Sequence, residues 1–84
     1  MPYIKKPDRF RLDDWITYLA GNCTNCGELN YAISKLCHRY LNKEKESYKN
    51  YNEVIGVLEC AKQELYRKKI TPYEEIKIKE NGNL

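Results

Sequence analysis

The chain has 84 residues, 32% of them charged and 42% hydrophobic, and fifteen Lys and Arg against twelve Asp and Glu leave a net charge of +3. One small domain is the expectation from this length, below the roughly 100–150 residues of a typical unit and able to bury only about 60–65% of its unfolded surface. The mild charge excludes a dense basic coat for DNA, no apolar run reaches the ~18–20 residues of a membrane span, and Met1 to Lys6 holds no signal-peptide apolar stretch, so a cytoplasmic protein off the membrane is expected.

Residues 1–11 carry Lys5, Lys6, Arg9 and Arg11 with two prolines and no amphipathic period, which predicts an extended basic arm. A first helix is predicted over 13–21. Leu12, Trp15, Ile16 and Leu19 follow one face of a 3.6-residue period, Asp13 serves as N-cap, and Gly21-Asn22 gives the stop. The turn formers of 21–27 make a loop. Leu29, Ala32, Ile33, Leu36, Cys37, Tyr40 and Leu41 then predict a second helix over 28–42.

After a polar connection, Tyr51, Val54, Val57, Leu58, Ala61 and Leu65 predict a third helix over 52–70, capped by Asn52. Gly56, in its middle, marks a point where another backbone or a ring comes close. Thr71-Pro72-Tyr73-Glu74 has the form of a capping box with proline at the first helical position, so a short fourth helix is predicted over 72–80. The alternation Ile76-Lys77-Ile78-Lys79 also suits a strand, and the capping signature favours the helix. The fold expected is all-α: a small antiparallel three-helix bundle with a short fourth C-terminal helix and an extended N-terminal arm. Apolar and aromatic residues off the main stripes (Tyr31, Ile55, Tyr66) give faces too wide for so small a chain, so a homodimer or larger symmetric oligomer is expected.

Cys23-Thr24-Asn25-Cys26 has zinc-ligand spacing, with Cys37-His38 downstream. A second knuckle is missing, and Cys37 and Cys60 stand in register with apolar stripes, where a thiol acts as a small hydrophobe. No metal and no cofactor are expected. His38 and Cys37 are sequence neighbours, so on a helix they diverge by about 100° and cannot act as base and nucleophile. Phosphate-binding glycine loops and hydrolase signatures are absent, and no enzyme is expected.

Tyrosine is the abundant residue, eight in the chain, and several stand beside cations in sequence. A tyrosine ring stacks on a base and an arginine holds phosphate with two parallel bonds, which together suit a nucleotide-like ligand or a short nucleic acid. The candidate contacts are Arg39, Tyr40, Tyr66, Arg67 and Lys68, with Lys5 and Lys6 of the arm as helpers. The plainer reading is that tyrosines fill helix edges while the cations face water and complement helix C-termini. Two other functions fit the same residues: a protein–protein inhibitor or adaptor docking through its tyrosines, and a small nucleic-acid regulator, although no helix-turn-helix with a polar recognition helix emerges.

Several segments belong together as a set: Pro2-Tyr3-Ile4-Lys5-Lys6, Leu29-Asn30-Tyr31-Ala32-Ile33, His38-Arg39-Tyr40-Leu41, the block 52–62, Tyr66-Arg67, Pro72-Tyr73-Glu74 and Asn81-Gly82. With them the chain resembles a family of short proteins of phage and environmental sequences, a domain of unknown function. The block Asn52 to Lys62 is the most specific part, and Cys23 and Cys26 depart from the pattern, which argues further against zinc. The resemblance implies a viral or mobile-element origin and, by analogy with small phage proteins, a binder that blocks or sequesters a host component.

Overall fold

A computed structural model describes residues 4–83, and every element among them is helical. The chain divides into two units, Met1–Ser47 and Tyr48–Leu84.

The first unit holds α1 (Lys6–Asn22) and α2 (Cys26–Asn42). Of the arm expected over 1–11, residues 1–3 lie outside the described residues, and the helix already begins at Lys6. Pro7 explains the early start: its missing N–H would be unpaired in the first turn anyway, and its fixed φ suits a helix. Asp8 adds a carboxylate to that first turn, where the helix dipole favours it. Lys5, at φ −65° and ψ 149°, is the N-cap, and its carbonyl accepts from Asp8 and Arg9 at 2.9 and 3.2 Å. Asp13 therefore sits inside the helix and caps nothing. Gly21 is helical too, because α1 runs on to Asn22, whose Nδ2 donates to the Tyr18 carbonyl at 2.8 Å.

Only Cys23, Thr24 and Asn25 separate the two helices. The expected loop is this short because α2 has a full N-terminal cap. Asn25 Oδ1 accepts from the Glu28 backbone N–H at 2.8 Å, and Glu28 Oε1 accepts from both the N–H and the hydroxyl of Thr24, each at 2.8 Å. This reciprocal arrangement satisfies the Glu28 N–H of the first turn and ties Thr24, the residue before the cap, back to the helix. The two Thr24 bonds favour the charged carboxylate and lower the Glu28 pKa from its ordinary value.

The second unit is one unbroken helical rod. Its first section, α3 (Tyr48–Leu65), passes into a π-helical turn (Tyr66–Ile70) and then into α4 (Thr71–Asn81). Here the capping box gives way. Thr71 has helical φ −60° and ψ −48° and its side chain caps nothing. Proline at position 72 supplies the physical reason for the π-turn. In an α-helix Pro72 could not donate to the Lys68 carbonyl and its ring would clash there. The Thr71 N–H instead reaches the Tyr66 carbonyl, five residues back, and the widened turn admits the ring. The helical reading of 72–80 stands over the strand alternative, and the rod ends at Gly82, whose φ of +85° only glycine adopts readily.

Among the described residues the single buried side chain is Val54, at 9% exposure. The stripe expected to bury α1 is open, with Trp15 at 74%, and Leu36 of α2 and Leu65 of α3 are exposed as well. Cys37 and Cys60 are half-buried. Gly56 does not mark a close approach within the chain, since a Cβ added there meets nothing within 4 Å.

Candidate functional site

Helical geometry changes how the tyrosine–cation pairs are read. Residues adjacent in sequence diverge on a helix, whereas those three or four apart meet. The partners over tyrosine rings are accordingly lysines further along: Lys35 Nζ lies 5.7 Å from the Tyr31 centroid, Lys43 5.9 Å from Tyr40, and Lys77 5.6 Å from Tyr73. Each is a cation–π contact at a solvent-exposed ring, worth about 0.5–1 kcal/mol. The neighbours named from sequence, Arg39 with Tyr40 and Tyr66 with Arg67, do not face one another in this way.

The seven candidate residues fall into three places. Lys5 and Lys6 stand at the cap and first residue of α1, both exposed. Arg39 and Tyr40 occupy the last turn of α2, where Arg39 complements the helix end and makes no ion pair among the described residues. Tyr66, Arg67 and Lys68 lie in the π-turn of the other unit. Sequence adjacency gave no sign of this division.

The π-turn is the most informative of the three. Tyr66, Arg67, Lys68 and Lys69 are all exposed. Their sequence position suggested cations at a helix C-terminus, held there by the dipole. The rod continues past them, so that explanation does not apply. Arg67 is engaged by its own helix: its Nη2 donates to Glu64 Oε2 at 2.6 Å, three residues back. Lys68 and Lys69 make no ion pair among the described residues.

A feature missed from sequence lies on α1. Phe10, Arg11, Asp14, Trp15 and Tyr18 line an open cleft of about 500 Å3, and Phe10, Trp15 and Tyr18 are each 73–74% exposed. Trp15 belongs to the apolar face expected of the first helix, and Phe10 to the expected arm. Starting the helix at Lys6 puts Phe10 and Tyr18 about two turns apart along it. No group of three or more His, Cys, Asp or Glu suited to a metal ion occurs among the described residues, and all four cysteines are free thiols.

The domain of unknown function DUF6899 matches residues 1–84, and the chain belongs to that family. No curated protein and no solved structure matches it.

Proposed function

We propose that this member of the DUF6899 family is a non-enzymatic, self-associating protein of the cytoplasm that binds an anionic, nucleotide-like ligand or a short nucleic acid. The observation that carries this reading is the position of Tyr66, Arg67 and Lys68 in the middle of a continuous helix, where the two cations serve no helix end. A phosphate supplies the counter-charge, with Arg67 turning from Glu64 to meet it and the open Tyr66 ring stacking on a base. Arg39, Tyr40, Lys5 and Lys6 add to the positive field that draws the ligand in. Self-association covers the apolar stripes, which lie open in the single chain. No helix among the described residues is long and apolar enough to cross a membrane.

Calorimetric titration with a nucleoside triphosphate and with a short single-stranded oligonucleotide tests the reading. Binding should weaken steeply with added salt. Arg67→Lys keeps the charge but loses the two-bond fork, and should weaken binding about tenfold, on the order of the 1.5–3 kcal/mol of a charge-assisted hydrogen bond. Absence of binding heat with both probes at low salt would refute it.

The cleft on α1 favours a second reading, an adaptor or inhibitor that docks on a host protein, in line with the phage origin that the sequence resemblance implies. Exposed Trp and Tyr beside an arginine are the residue types that dominate protein interfaces. Such docking would tolerate salt and would be lost in Trp15→Ala.

A further inference from the structure

The rod carries a second set of charges on a different face from Arg67. The π-turn adds one residue to the helical count, so the line of Leu65 passes to Ile70 and Tyr73 rather than to Lys68, Lys69 and Pro72. Leu65 and Tyr73 are 55% and 59% exposed, while Val54, earlier on the rod, is already buried. Ile70 and Tyr73 stand three apart, as the a and d positions of a heptad do. Lys69 then holds the g position and Glu74 the e position, flanking the apolar pair on its two sides. Neither makes an ion pair among the described residues, and five residues along one helix is the wrong spacing for them to meet each other. The next a and d positions are Lys77 and Glu80, which pair with one another at 3.2 Å and close this short seam.

We infer that a second copy of the chain packs in parallel against this part of the rod, layering Ile70 and Tyr73 on their counterparts and pairing Lys69 of each copy with Glu74 of the other. The inference rests on the self-association in the reading above and names its surface. The charge pattern selects the partner. Side by side and in register, a g residue meets the e residue five positions on in its neighbour, so one chain supplies both halves of two symmetric ion pairs. An antiparallel pair would set g against g and e against e, leaving lysine and glutamate on opposite flanks. Arg67 and Lys68 project away from the seam by helical spacing, whereas Tyr66, four residues before Ile70, borders it.

Charge exchange tests this on the full chain by sedimentation equilibrium. Lys69→Glu places carboxylates against Glu74, and Glu74→Lys places ammonium groups against Lys69. Each variant should associate about tenfold more weakly than wild type, because two attractive contacts become repulsive at once. An equimolar mixture of the two variants restores opposite charges at both contacts and should recover wild-type association, which also shows that each variant folds. A wild-type chain that associates while both variants associate equally well would overturn the seam and leave self-association standing, as would a mixture no tighter than its components. A monomeric wild type would overturn both.

Discussion

Replacing Gly56 with alanine adds one methyl group to the interior of α3. A Cβ at this position meets no atom within 4 Å, and the residue keeps ordinary negative φ, so no strain opposes the change. What remains is helix propensity, where glycine is less favourable than alanine by about 0.8–1 kcal/mol. In a domain of this size that gain raises the melting temperature by roughly 4–8 °C. Leucine, with propensity close to alanine, should stabilise nearly as well. By helical spacing Gly56 lies on the far side of α3 from Val54 and Leu58, so neither substitution should alter association. Circular dichroism melts at one matched protein concentration measure the shift, and the matching matters because assembly makes melting concentration-dependent. A lower melting temperature for Gly56→Ala, or loss of associated mass for Gly56→Leu, would show that a ring or backbone of another molecule reaches this glycine and that the space around it is not open.

Pro72→Ala removes the ring that the π-turn accommodates, and should raise helix stability by about 1–3 kcal/mol, read from the same melts. With the turn closed to an α-turn, Ile70 and Tyr73 would rotate out of line with Leu65, so association should weaken as stability rises. Asn25→Ala strips the cap of α2 and should cost about 1 kcal/mol, whereas Asn25→Ser should cost little. The depressed Glu28 pKa makes the Thr24 bonds a source of stability that is present above the ordinary glutamate range and lost as pH falls through the folded-state value. An acid titration by circular dichroism should show this loss in wild type and not in Glu28→Gln.

The helices that sequence located best are those whose apolar residues keep period. The stripe from Leu29 to Leu41 placed α2 to within two residues at its start, and that from Tyr51 to Leu65 found α3, which begins four residues earlier than expected, at Tyr48, so that Asn52 lies inside the helix and not at its cap. The start of α1 was obscured because Lys6 to Arg11 has no such stripe, although Pro7 followed by Asp8 was a local start signal. Thr71 shows the opposite case. Its capping box is a sound local pattern, but α3 was already formed up to it, and extending a formed helix is easier than nucleating another. The π-turn reconciles that extension with Pro72, a result that no window of propensity contains. Of the site, the residue types were legible and their grouping was not. Which cations share a face depends on where each helix begins and on whether it ends, and both were misplaced near Lys6 and Lys68.

The continuity of Tyr48 to Asn81 also bears on time. The backbone hydrogen bonds that build the helices of that rod join residues a turn apart, so no long loop must close before it forms, and relaxation of such a helix takes about 0.1–1 μs. Encounter of two chains is bimolecular and far slower at micromolar concentration. Refolding should therefore divide into a fast gain of helix, independent of dilution, and a later phase whose rate rises in proportion to protein concentration.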